Sequence, residues 1–295
     1  MSINKSASPF NLVHIDIWGP YRTPSHTGAH FFLTIVDDCT RATWVYLLQR
    51  KSEAYQCFVN FHAMVKNHFD ANIKHIRSDN AQEFVAEPLK SHLLEHGIIS
   101  QTSCVRTLEQ NGMVERKHRH LLNVARALRF QANLPVSFWG ECVLTAAYLI
   151  NLTPTPKLNG KSPYELLFHK PPTYDHLRVF GSLCYVHETS SDKFQPRSRA
   201  CVFVGYPLGQ KGYRVYNLET HEIFTSRDVI FHEKTFPYSQ TLPSFSIIPS
   251  FSQPNQTDYD VGFPLATNNL PHVSNLGQIQ GQISNPILSH ESDQT

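Results

Sequence analysis

The chain has 295 residues, a length that suits about two domains, and 41% hydrophobic with 12% aromatic side chains allow each a sizeable core. No run of 18 or more apolar residues exists and the opening MSINKSASPF has no apolar stretch, so neither a membrane-spanning helix nor a signal peptide is expected. The net charge of +2 is unevenly spread: nothing after Lys234 is Lys or Arg, so residues 1–234 carry 26 basic against 20 acidic side chains, a net +6 that suits a polyanionic partner.

LVHIDIW (12–18) alternates and reads as a strand. HFFLTIVDD (30–38) and ATWVYLLQ (42–49) follow as two more, joined by the polar DDCTR turn. In KSEAYQCFVNFHAMVKNHF the residues Ala54, Cys57, Phe58, Phe61, Met64, Val65, His68 and Phe69 recur at three and four, which predicts one apolar helix face. NIKHIRSD returns to strand, and EPLKSHLLEHG reads as a helix closed by Gly97. A long helix runs from Gly112 to Ala132, with Val114, His118, Leu121, Ala125, Leu128 and Ala132 along one face, and Pro135 stops it. SFWGECVLTAAYLIN is a further buried helix with Ser137 as its expected N-cap.

After a proline-containing stretch, FGSLCYVHE, RACVFVGYP, GYRVYNLE and HEIFTSRDVIFHE are short strands at about ten-residue spacing, as in a small β-barrel. From Pro237 onward Ser, Pro, Asn and Gln dominate and charge is almost absent, which reads as disorder. The expected division is an N-terminal remnant (1–9), an α/β domain (10–172), the barrel (178–235) and a tail (236–295). The six cysteines (39, 57, 104, 142, 184, 201) form no CxxC pair, which argues against a zinc knuckle and reads as reduced, intracellular thiols.

Three acids stand out. Asp16 interrupts an apolar strand, where an unpartnered carboxylate is costly. Asp79 ends a strand, and Glu115 falls in the first turn of the long helix, with 35 residues between the two. Taken alone, Asp79 reads more often as a turn acid, and Glu115 as a helix-start acid or a partner of Arg119. Converging at one end of a sheet, the three would hold two Mg²⁺ (or Mn²⁺) ions about 3.5–4 Å apart in an all-oxygen site. Asp37 and Asp38 are expected to be turn acids pairing with Arg41 rather than ligands, because Asp16 should lie opposite about residue 33. His14 reads as packed or hydrogen-bonded.

The words HIDIWGP, IVDDCTRATWVYLL, RSDNAQEF and EQNGMVERKHRHLL, in this order and spacing, resemble the integrase core of copia-type long-terminal-repeat retrotransposons. SPYELLFHKPP, FGSLCYV and FVGYPLGQKGYRVYNLE resemble the segment that follows that core in the Pol polyprotein. The resemblance implies a ribonuclease-H-like fold with a mixed five-stranded sheet and flanking helices, then an SH3-like barrel. It assigns Asp16, Asp79 and Glu115 to a D, D-35-E catalytic and metal-binding triad. It also implies polynucleotidyl transfer: 3′-end processing of element DNA, then strand transfer into target DNA, in the nucleus.

Asn80, Gln110, Asn111, Arg116, Lys117, Arg119 and Arg126 are the expected nucleic-acid contacts, Arg119 and Arg126 sharing a helix face with Glu115. The expected partners are DNA and further copies of the chain, with no membrane and no small-molecule cofactor. VRTLEQNG stands where the family usually reads close to PHTPEQNG, and Ala81 where many relatives have Gly. The family's zinc-binding His/Cys module has no counterpart, so the expectation is a piece of a longer polyprotein with weak self-association. A catalytically inactive nucleic-acid-binding relic and a nuclease of RNA–DNA hybrids are the competing readings.

Overall fold

The computed structural model describes residues 6–79, 84, 87–102, 112–187 and 197–239. Its first sheet is built from β1 (Leu12–Trp18), β2 (Phe31–Asp37), β3 (Thr43–Leu48), β4 (His75–Ser78) and β5 (Ile99–Thr102). The order is β3-β2-β1-β4-β5. The hairpin-linked β1, β2 and β3 pair antiparallel, whereas β4 joins β1, and β5 joins β4, in parallel. This is the mixed five-stranded, ribonuclease-H-like sheet expected. The one strand without a counterpart in the sequence reading is β5, four residues long and carrying no alternating apolar signal.

Helix α1 (Ala54–Phe69) lays Cys57, Phe58, Phe61, Met64 and Val65 onto the sheet, where Phe61 meets Trp44 edge-on at 5.0 Å. Burying such a ring contributes on the order of 1.5–3 kcal/mol. The face differs from the expected one at its end: His68 is exposed and His62 is buried instead. Asp70, at φ 46°, ends the helix. The crossover to β5 carries α2 (Leu89–Glu95), which buries only Leu89 and Leu93.

The long helix α3 (Gly112–Ala132) buries Val114, His118, Leu121, Ala125 and Ala132 against β1, β2 and the next helix, α4 (Trp139–Leu152). Ser137 does not cap α4: it lies inside a 3-10 turn, Val136–Phe138, and Phe138 occupies the cap position without a side-chain hydrogen bond. Ser162 caps α5 (Pro163–Phe168), accepting from the Glu165 N–H at 3.0 Å.

The second sheet is fully antiparallel, in the order β10-β6-β7-β8-β9. It comprises β6 (Leu183–His187), β7 (Ser198–Gly205), β8 (Tyr213–Asn217), β9 (Ile223–Ser226) and β10 (Val229–His232). The segment read as one last strand is therefore two, broken at Arg227–Asp228. This sheet is not an independent bead. Trp44 and Phe61 share one continuous apolar cluster with Cys184, Phe203 and Val215. Thr145 Oγ1 of α4 donates to the Val204 carbonyl of β7 at 3.4 Å. Gly181, at φ +79°, brings its backbone against Ala132, and a Cβ there would lie 2.1 Å from the Ala132 Cβ. The tail expected from residue 236 begins with order: Phe236 and Tyr238 pack on the α3–α4 cluster, and Asn133 Nδ2 donates to the Tyr238 carbonyl at 2.6 Å.

Candidate active site

The parallel register of β1 with β4 decides where the first two acids sit. His14 pairs with Arg77 as the last pair of that ladder, and two residues beyond it on each strand stand Asp16 and Asp79, close enough for the charge of Asp79 to act on Asp16. Neighbouring strands are about 4.8 Å apart, and both acids therefore occupy the same end of adjacent central strands. Glu115 arrives from above, exposed in the first turn of α3. One helical turn on, His118 Nδ1 lies 3.6 Å from Asp16 Oδ2, which fixes α3 over β1 at this point.

The electrostatics register this crowding. The Asp16 carboxyl is pushed up from an ordinary 3.8 to about 7, first by burial, then by the charge of Asp79, with Glu115 adding to it. The Ile17 N–H, donating to Asp16 Oδ1 at 2.8 Å, works against the rise. Lys51 also opposes it, and its influence is the weakest of the five. Burial holds the His118 ring down at about 4, so at neutral pH it faces Asp16 as a neutral imidazole, not a counter-ion. Its ring meets Phe32 edge-on at 5.4 Å. Both His118 and Lys51 escaped the sequence reading. His118 sits three residues after Glu115 and was absorbed into the apolar face of its helix. Lys51 touches the site only through the tertiary fold.

Asp37 and Asp38 belong elsewhere: they sit at the β2–β3 turn, where Asp38 pairs with Arg41 as expected, and both are buried. Thr34, not residue 33, lies opposite Asp16, and Asp37 pairs with Val13, three positions or about 10 Å away. Asp37 is fully buried and accepts from the Phe10 N–H and from the Thr40 N–H and hydroxyl, each at 2.7 Å. Asp38 contacts His14 Nε2 at 3.1 Å and accepts from Arg41 Nη1 at 3.2 Å. These bonds tie off the start of β1 and the β2–β3 turn, and they use up the carboxylate oxygens.

Of the expected nucleic-acid contacts, Arg116, Arg119 and Arg126 are exposed on α3, and Arg126 binds Asn123 of its own helix. Arg119 and Arg126 share the solvent-facing stripe that begins with Glu115. Lys117 is not on that stripe. It is half-buried beside Arg41 and Lys157, and burial together with those two charges lowers its amine to about 8. Asn80, Gln110 and Asn111 lie outside the described residues, as do Ala81, Cys104 and the VRTLEQ segment. The other five cysteines form no disulfide among the described residues, and Cys184 and Cys201 face each other across β6 and β7.

The site thus gathers Asp16 on β1, Asp79 just after β4 and Glu115 on the helix that packs against β1. Residues 6–107 match the family described as Integrase core domain, and residues 182–244 match the Retroviral polymerase SH3-like domain. The Retrovirus-related Pol polyprotein from transposon RE1 of Arabidopsis thaliana is 39% identical over 245 residues, covering 82% of this chain and 16% of the relative. That from transposon RE2 of the same plant is 37% identical over 266 residues, covering 89% and 18%. That from transposon TNT 1-94 of Nicotiana tabacum is 33% identical over 262 residues, covering 85% and 20%. The chain belongs to the integrase-core and SH3-like segment of copia-type retrotransposon Pol polyproteins. It spans about a fifth or less of the length of these relatives.

Among solved structures, a chain of the simian T-cell lymphotropic virus intasome in complex with PP2A regulatory subunit B56 gamma aligns at TM-score 0.47 and 16% identity. The alignment covers 76% of this chain and 78% of that one. The HTLV-2 integrase catalytic core domain in complex with magnesium aligns at TM-score 0.41 and 16% identity, covering 54% and 97%.

Proposed function

We propose that this chain is the catalytic part of a DNA-joining enzyme, in which Asp16, Asp79 and Glu115 position two divalent cations, Mg²⁺ or Mn²⁺, for polynucleotidyl transfer. One observation carries the reading: the fold brings the largely buried Asp16 of β1 within reach of the charges of Asp79 and Glu115, and the only cation acting on it, Lys51, is the weakest influence there. Such mutual repulsion costs stability in the protein alone and is relieved by a multiply charged cation. The donor set fits a hard cation, being carboxylate oxygen only. Bound there, the cations supply positive charge at the phosphorus under attack and make the attacking oxygen a stronger nucleophile.

The chain's own residues do the rest. The Ile17 N–H fixes one oxygen of Asp16, and the neutral His118 ring packs behind the other, so the carboxylate meets its ligand in one orientation. Glu115, exposed, leaves the site open on the side where DNA must enter. Arg119 and Arg126 continue that side as a basic stripe suited to the phosphate backbone, and Arg116 adds to the charge. Water attacks a phosphodiester near the 3′ end of the element DNA and displaces the element's 3′-oxygen; the freed 3′-hydroxyl then attacks a target phosphodiester and displaces the target strand's 3′-oxygen, which leaves as a hydroxyl. The two ends of an element need two active sites, so the working species is a multimer, acting on nuclear DNA.

The test is a disintegration assay, which runs the joining step backwards on one preassembled branched DNA. Purified chain with Mg²⁺ or Mn²⁺ should resolve the branch, and Glu115→Gln should lose the product while keeping its circular dichroism spectrum and DNA affinity. Binding without product from the native chain would instead establish a non-catalytic remnant of the same fold.

A further inference from the structure

A second convergence of metal-ligating side chains lies away from the acids. In the described residues, His62, His92 and His96 each bring one ring nitrogen to within 4.8 Å of the others. Their origin is simple: α1 turns His62 inward onto α2, where a spacing of four puts His92 and its C-cap His96 one turn apart on one side. His62 Nδ1 and His92 Nε2 are 3.0 Å apart. The ring centroids stand 5.2 Å (62–92), 4.8 Å (62–96) and 4.3 Å (92–96) from one another.

We propose that His62, His92 and His96 bind one zinc-class divalent transition ion, with water completing the coordination, and that this ion clasps α2 to α1. Zn–N bonds of about 2.0–2.1 Å in a tetrahedral set require nitrogens about 3.3–3.4 Å apart. The closest pair is within tenths of an ångström of that spacing, and the exposed His96 ring has the freedom to close the rest. A hydrogen bond between neutral imidazoles accounts for one of the three approaches only, since each bond uses one N–H and one lone pair. Lys66 opposes a cation here and Glu95 favours one. Phe58 and Tyr55 pack against the rings and shield the approach from the core side.

The clasp has a structural purpose. Helix α2 has seven residues, too few to hold itself, and only two of them are buried apolar anchors. It sits on the connection between β4, which Asp79 directly follows, and β5. Imidazole nitrogen selects zinc-like ions over magnesium, so this site and the acidic one take different metals.

The full chain, stripped by chelator and free of DNA, would be titrated with Zn²⁺ by calorimetry and followed by thermal unfolding, with Co²⁺ absorption as an independent readout on the native chain. The expected result is one equivalent bound, visible d–d bands of a four-coordinate ion, and a Tm rise of about 5–10 °C at a hundredfold excess over Kd. His96→Ala, at an exposed position, should lose all three, while Asp16→Asn keeps them. No binding, or a response equal in His96→Ala, overturns the proposal. A response abolished by Asp16→Asn also overturns it, since zinc would then be occupying the acids. None of these readouts involves DNA joining, so the clasp can fail while the catalytic reading stands, and the reverse.

Discussion

Replacing Asp16 with asparagine should stabilise the metal-free protein while destroying its metal site. Asn keeps the shape and can still accept from the Ile17 N–H, but it carries no charge against Asp79 and Glu115. In the native chain the Asp16 carboxyl rises from 3.8 to about 7 on folding. A raised folded value means that Asp16 favours the fold below pH 3.8 relative to higher pH, and that this advantage drains away as pH climbs to about 7. At 1.36 kcal/mol per tenfold, the full loss is about 4 kcal/mol, an upper bound for a side chain still 17% exposed. Asp16→Asn escapes that loss. Its gain over the native chain should therefore be small near pH 4, grow through pH 5 and 6, and level off above 7 at about 1–4 kcal/mol. Urea unfolding in chelator at pH 4.5, 6 and 8 measures this directly. Adding Mg²⁺ at pH 8 should raise the native midpoint and leave the variant unmoved. A variant that is less stable than the native chain at pH 8, or whose difference is flat with pH, would refute the reasoning.

Four other outcomes follow from particular contacts. Asp38→Asn removes the charge that faces His14 and Arg41 and should cost about 1–3 kcal/mol at pH 7; because those contacts lower Asp38's carboxyl, the cost should fade as pH drops below 4, with metal affinity unchanged. Arg214→Leu strands Glu141, which is fully buried and 3.6 Å from the guanidinium, and should cost about 3–5 kcal/mol in denaturant melts. That cost should grow as pH rises, since burial already raises Glu141, and the double variant Glu141→Leu with Arg214→Leu should recover most of it. Gly181→Ala places a methyl group on Ala132 at a positive φ and should cost at least about 3 kcal/mol, lowering the thermal midpoint of both sheets together because they share one core. Arg119→Ala and Arg126→Ala should each weaken DNA binding uniformly across sequences and reduce the slope of log affinity against log salt by about 1.

Much of this fold is written in local periodicity. The first three strands, α1 and the long helix all appear where the sequence predicts them: the two helices each bury one face, whereas β2 and β3 are apolar runs buried on both faces. The misses have physical causes. Strand β5 is short and takes its identity from pairing with β4, not from its own pattern. The 3-10 turn before α4 displaces Ser137 from the cap by letting the backbone close the helix start. His62 and His68 are six positions apart on α1, and only the packing of α2 decides which of them is covered.

The site divides in the same way. Asp16 drew attention because a carboxylate in an apolar strand demands a partner, and the register of β1 on β4 supplies the next acid. His118 and Lys51 act across the fold and carry no local mark. Lys117 looked like one more cation of a basic helix until Arg41 and Lys157 appeared beside it.

The most direct test is a crystal of the chain soaked in Mn²⁺ and measured at the manganese absorption edge. Two anomalous peaks are expected, bracketed by the carboxylates of Asp16, Asp79 and Glu115, and both absent from Asp16→Asn. Peaks at Asp37 and Asp38, or an intact site that takes up no manganese, would contradict this.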